Sequence, residues 1–296
     1  MTKPVHVLAV LGVVLACVGV GGQAPPVPAS AAPAAGFDLS GYWTAAMHED
    51  ALERGAGPEL GDYGGFPINE AARLFALSYS ASRVTLRHHQ CDGYVAPYSV
   101  RSIGNARAWE ERDPHTQRLI AIHWYNQTFE GHRTIWMDGR AHSPAYAPHS
   151  WMGFSTGRFV GNALEVQTTH LKQGWLRRNG LPESDQATLV EHFIRYGDYM
   201  THVAIVTDPV YLTEPFIRTQ VFRLVLPEGL NWLYPCESVV EIAGRPQGEV
   251  PNYLPGKNPF VAEYANKYHI QVEAALGGAA TMYPEYQLQM QKAGKK

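Results

Sequence analysis

Asp138, Arg140 and His142 alternate at the end of a strand pattern, in the order Asp-Gly-Arg-Ala-His. On extended backbone, residues two apart face the same way. These three side chains would then share one face. An Asp can orient a His and raise its basicity, and an Arg can hold a carboxylate, enolate or carbonyl oxygen. Such a trio suits proton abstraction, elimination or hydration. The competing reading is a turn in which Asp138 takes backbone amides and Arg140 pairs with a carboxylate such as Glu191. His170 and Glu191 are the next candidates for acid–base work.

Histidine needs explaining more widely. His123, His132, His170, His192 and His202 fall on five strand patterns, and neighbouring strands can aim such residues into one lumen. Imidazole serves as general acid, general base or metal ligand near neutral pH. No H-x-H, H-E-x-x-H or C-x-x-C spacing accompanies them, so neither metal nor cofactor is expected. Glu191 and Arg195 lie four apart on a pattern whose same face holds Leu189 and Phe193, which means a polar lumen or a buried ion pair. Tyr125, Trp136 and Trp151, with His123, His202 and Arg195, could line a pocket for a small apolar or aromatic molecule, or simply pack as core. No G-x-S-x-G nucleophile elbow is expected, and Phe154-Ser155-Thr156-Gly157 is not taken as one. No phosphate loop or dinucleotide fingerprint is visible.

Strands must position these residues. From Arg83 onward come about ten strand patterns at short spacing, with little helix between them. They cover Arg83 to His89, Pro97 to Ile103, Ala106 to Glu111, Gln117 to Tyr125, Thr128 to Met137, Trp151 to Val160, Ala163 to His170, Thr188 to Tyr196, Tyr199 to Thr207, Phe216 to Leu226 and Asn231 to Pro235. Phe37 to Met47 supplies an earlier one. Parallel units would need helices in the gaps. The expectation is therefore an all-β, antiparallel sheet closed into a barrel, which removes its edges. Ile68 to Tyr79 reads as a short helical insert with Asn69 as N-cap. Leu171 to Gln186 reads as a loop, Val261 to Ala275 as one helix, and the last twenty residues as loosely held.

Residues 1–36 resemble an export signal followed by a Pro- and Ala-rich linker. The apolar run is too short and too rich in Gly for a membrane span. Either a cut after a small residue or lipidation of Cys17 would process it, since Val14-Leu15-Ala16-Cys17 resembles a lipobox. The folded part keeps Cys91 and Cys236, and export permits a disulfide between them. Residues 37–243 form the expected barrel domain, and 244–296 a Pro-rich segment with a helical or irregular tail. A net charge of −3 gives no reason to expect nucleic acid as partner.

Two sets of motifs carry a resemblance. Gly41-Tyr42-Trp43 resembles the G-x-W opening of lipocalins and related calycin barrels, where the Trp closes one end. Further on, the chain shows Asp138-Gly139-Arg140-Ala141-His142, Trp151-Met152-Gly153-Phe154-Ser155-Thr156-Gly157, Val190-Glu191-His192-Phe193-Ile194-Arg195, and Asp208-Pro209-Val210-Tyr211 up to Pro215. Together these resemble an uncharacterised family of exported bacterial proteins. The resemblance implies a calycin-like or lipocalin-like barrel and export, and no particular activity. Gln167 stands where that pattern has Asp, and His170 where it has Gly or similar.

The leading expectation is an exported or periplasmic barrel, free or lipid-anchored, with an interior pocket for a small apolar or aromatic molecule. A cofactor-free lyase, isomerase or hydratase using that pocket is the alternative. A structural envelope protein with a filled barrel is the third reading.

Overall fold

The computed structural model describes residues 37–46, 59–86, 89, 91–92, 94–100, 105–126, 131–226, 244–246 and 248–293. Residues 1–36, expected to be an export signal and linker, lie outside them, as do Cys17, Cys236 and the Asn231–Pro235 pattern. Nine strands close into one barrel. They are β1 (Gly41–Ala45), β2 (Asn105–Arg112), β3 (Leu119–Asn126), β4 (Gly131–Trp136), β5 (Phe154–Val160), β6 (Ala163–Thr169), β9 (Thr188–Tyr196), β10 (Tyr199–Thr207) and β11 (Phe216–Val225). Between β6 and β9 stands a separate hairpin, β7 (Gly174–Arg177) and β8 (Leu181–Glu183). Around the barrel the order is β1-β11-β10-β9-β6-β5-β4-β3-β2.

The expected antiparallel pairing holds everywhere except between β4 and β5, which run parallel. Geometry demands this exception. Each antiparallel pairing reverses direction, so a closed ring of an odd number of strands needs at least one parallel pair. The chain therefore leaves β4 at one end and returns through residues 138–153 to start β5 at the other. That parallel seam carries only two registered pairs, Ile135 with Ser155 and Trp136 with Thr156.

Strand alternation sends one side-chain set inward. The lumen holds Trp43, Ala106, Ala108, Ile122, Trp124, Ile135, Leu164, Val166, Phe193, Met200 and Phe222 in one core. Trp124 meets Phe193 and Phe222 at ring distances of 5.5 Å each. Towards the end where β9 turns into β10, Trp43 is buried in this core. Its indole Nε1 donates to the Leu39 carbonyl at 2.8 Å, and the Arg195 guanidinium lies 5.4 Å from its ring centre. Arg195 also donates to the carbonyls of Gly197 and Asp38.

A second core seals the opposite end. Helix α1 (Glu70–Leu77) brings Ala72 and Ala76, and the β7–β8 hairpin brings Leu176 and Leu181. These pack with Tyr63, Phe66 and Ile68 over the ends of β9, β10 and β11 at Leu189, Ala204, Val206 and Phe216. Asn69 caps α1 as expected: its side chain accepts from the Ala72 amide at 3.0 Å and donates to the Val210 carbonyl at 2.7 Å. No helix among the described residues is long and apolar enough to cross a membrane.

Four local expectations are corrected. Ala81–Thr85 is a 3-10 turn rather than part of a strand, with Ser80 accepting from the Ser82 amide. Ala96–Ser99 forms helix α2, because Pro97 sits in its first turn, where a missing N–H does no harm. The Leu171 to Gln186 stretch is the hairpin, not a loop. Val261 to Ala275 is two helices, α3 (Glu263–Tyr268) and α4 (Val272–Ala275), because His269 turns left-handed at φ 56°. The tail adds α5 (Pro284–Ala293).

The seam depends on the return of its crossover. Gly153 has φ +66°, and a Cβ there would come within 2.5 Å of the Thr169 carbonyl oxygen. Gly139, at the other end, has φ +78° with nothing within 4 Å. We expect Gly139→Ala to cost about 1–2 kcal/mol for the left-handed backbone alone, and Gly153→Ala to cost clearly more. Urea unfolding of both variants checks this; equal costs would contradict it.

Candidate functional site

Ser155 and Thr168 are cross-strand partners on β5 and β6, and both point inward. Their neighbours Thr156 and Thr169 therefore point outward. Each pair of hydroxyls anchors a polar array, so two arrays stand back to back through the same two strands.

The inner array centres on Arg133 of β4, buried with Glu191 of β9 in a bidentate ion pair. The Arg133 Nε donates to Ser155 Oγ at 2.9 Å, and one terminal nitrogen donates to Thr168 Oγ1 at 2.6 Å. Ser155 and Thr168 share a further bond of 2.9 Å. His202 of β10 places Nε2 3.0 Å from Glu191 Oε1 and stacks on Phe193 at 4.6 Å. A carboxylate only accepts, so His202 donates from Nε2 and Nδ1 is left as an acceptor. Burial alone would raise the Glu191 carboxyl. The charge of Arg133, with bonds from His202 and Arg133, outweighs it and holds the group at about 2. Four of the five Arg133 N–H groups bond to Ser155, Thr168 and Glu191.

Among the described residues, the side chains around this array are closely packed. Trp43, Trp124, Ile135, Leu164, Val166, Thr168, Glu191, Phe193, Met200, His202 and Gln220 are each 0 % exposed. A water-sized space therefore touches none of them. A barrel of about eight strands is just wide enough for side chains to fill, and here aromatic rings and an arginine do so.

The outer array pins the crossover to the barrel wall. His170 Nε2 lies 2.9 Å from the Pro144 carbonyl, which can only accept, so this nitrogen carries the proton. His170 Nδ1 then accepts from Thr169 at 2.8 Å. Thr169 Oγ1 accepts in turn from His142 Nδ1 at 3.2 Å, and His142 Nε2 accepts from Thr156 at 2.8 Å. One proton order satisfies the whole chain. His149 adds a bond from Nδ1 to the Leu171 carbonyl at 2.7 Å. His170 adopts φ 58°, a backbone state uncommon for a residue with a Cβ. Burial, then the nearby His170, lowers the affinity of His142 for a proton.

The expected catalytic trio is divided between different partners. Asp138 is taken up by Arg140, through bonds of 2.9 and 2.6 Å, and Arg140 stacks over Trp136 at 3.5 Å. His142 bonds to the two threonines instead. Glu191 pairs with Arg133 rather than Arg140 or Arg195. Among the residues assigned to a pocket, His202 is the one found in the lumen. Tyr125 and His123 alternate with inward-facing Trp124 and lie on the outer face, Trp136 lies under Arg140, and Trp151 lies 5.0 Å from the Lys172 ammonium. Outside the barrel, His123, His132 and Trp109 stack together, with ring distances of 5.0 to 5.5 Å.

Sequence reasoning missed Arg133, although the signal was there. It alternates with Gly131 and Ile135, so its face is the apolar one. Gly153-Phe154-Ser155-Thr156-Gly157 does carry the G-x-S-x-G spacing of a nucleophile elbow. Ser155 nevertheless lies within a strand, and it bonds to an arginine and a threonine rather than to a histidine. Also missed was the polar character of the β7–β8 hairpin, which buries Arg177, Asn179 and Glu183. Arg177 pairs with Asp62 at 3.0 Å. Cys91 is disulfide-bonded, and Cys236, its expected partner, lies outside the described residues. Among the described residues no cluster of three or more His, Cys, Asp or Glu side chains is placed to hold a metal. No protein-family model matches the chain, and no curated protein or solved structure is similar enough to infer a relationship.

Two outcomes follow. Glu191→Gln leaves a buried guanidinium without its counter-charge and should cost about 3–5 kcal/mol. Arg133→Met with Glu191→Leu should cost less than that single change, as denaturant unfolding will show. Acid should act in two stages. Folded His142 and His132 bind protons less readily than their ordinary 6.5, so the unfolded chain gains protons first and stability falls below about pH 6.5. Folded Glu191 is held at about 2 against an ordinary 4.5, so its contribution is intact above pH 4.5 and fades towards pH 2. Melting curves across this range check both, and His142→Gln should flatten the upper stage.

Proposed function

We propose that this chain is an exported filled-barrel protein that works through its outer surface, as a structural or interaction component of the cell envelope. One observation carries the reading: among the described residues, the side chains around the Arg133–Glu191 pair are closely packed and buried, and that pair is bonded to other side chains of the protein. A pocket for an apolar or aromatic molecule would require Trp124, Phe193 or Phe222 to swing out of close packing. Natural ligand pockets are usually largely preformed. The acid–base alternative has little support either, because Asp138 is engaged by Arg140 and His142 is engaged in holding the crossover. Export rests on the apolar start of the chain and agrees with a disulfide at Cys91.

Titration with a fluorescent apolar probe such as N-phenylnaphthylamine tests this. Weak, non-saturating uptake is expected, with tryptophan emission unchanged. Saturable one-to-one uptake that quenches the buried tryptophans would overturn the reading.

A further inference from the structure

On the outer face of β3 and β4, His123 and His132 present nitrogens to each other. His123 Nδ1 lies 3.1 Å from His132 Nε2. The opposite nitrogen of His123, Nε2, lies 2.8 Å from the Glu111 carboxylate. Since a carboxylate only accepts, Nε2 carries the proton and Nδ1 exposes its lone pair towards His132. We propose that His123 Nδ1 and His132 Nε2 chelate one divalent transition-metal ion of the imidazole-preferring class, copper or zinc, on this outer face.

The spacing fits. Two imidazole nitrogens at about 2.0–2.1 Å from one ion stand about 2.9 Å apart at a right angle and about 3.3 Å apart at a tetrahedral angle. The observed separation falls between them, and each ring must turn on its side-chain torsions so that both lone pairs, which now lie along the N···N line, converge on the ion. In the metal-free state the proton on His132 Nε2 bridges the pair. On binding it passes to Nδ1 of the same ring, so no net proton need be released. Glu111 supplies what a metal-bound histidine usually has, a carboxylate on its far nitrogen that fixes ring and tautomer. Thr134 Oγ1, 3.4 Å from His123 Nδ1, lies beside the same nitrogen. Trp109 stacks on His123 with its ring centre 5.0 Å away, which makes the site self-reporting. Arg107 lies 5.1 Å from the Trp109 ring centre, and Arg140 is a cation that interacts with the Glu111 charge. Two protein ligands leave the remaining positions to solvent, so the ion is exchangeable and open to a further ligand.

The full chain, free of any affinity tag, should be titrated with Cu²⁺ and Zn²⁺, following tryptophan emission and heat. We expect one tight equivalent, with Cu²⁺ quenching Trp109. His132→Gln should weaken binding at least ten-fold, and Glu111→Gln about ten-fold. Electron paramagnetic resonance of the wild-type copper form needs no variant and should show nitrogen coupling from two imidazoles. Equal affinity in wild type and in the His123→Gln/His132→Gln double variant would overturn the proposal, as would a copper spectrum with fewer than two imidazole nitrogens.

Discussion

The ion pair of Arg133 with Glu191 governs how this barrel can close. Burying both charges in an apolar lumen is unfavourable unless each remaining donor and acceptor is met. Ser155, Thr168 and His202 meet most of them, so five strands, β4, β5, β6, β9 and β10, contribute to one network. A slip of one residue in any of these strands would turn its member outward and leave a buried charge unmet. The pair therefore sets register as well as contributing to stability.

The network also lies where the barrel is weakest. The parallel seam between β4 and β5 has two registered pairs, whereas the β9–β10 ladder has nine. From inside, Arg133 crosses the seam to Ser155. From outside, the crossover loop reaches back over β5 and β6 through His142, Thr156, Thr169 and His170. The odd strand number creates the seam, and polar side chains on both faces of the wall hold it. That explains why histidines with the look of a catalytic cluster end in a chain of mutually satisfied bonds.

Much of this was legible in the sequence. The strand patterns that became β3, β9 and β10, and the Asn69 cap, are local signals, and local physics decides them. Arg83 to His89 looked like a strand by residue type, yet Ser80 captures the chain in a 3-10 turn. The β7–β8 hairpin was hidden because it buries polar Arg177, Asn179 and Glu183 together with Leu176 and Leu181, which no binary pattern reveals. Glu191 was rightly placed on an apolar face, but its partner could not be read. Arg133 lies 58 residues away on a strand that meets β9 only across the lumen. Partners across a barrel are set by closure and strand number, and neither is written in any single segment. The parallel seam escaped for the same reason.

The central claim is that the lumen is filled by the protein's own side chains. Native mass spectrometry of the protein purified from its own host tests it most directly. The expected spectrum is that of the chain with its disulfide and no bound organic molecule, unchanged when collision energy is raised. A stoichiometric organic molecule released at higher energy would contradict the account and return the barrel interior to the role of a binding site.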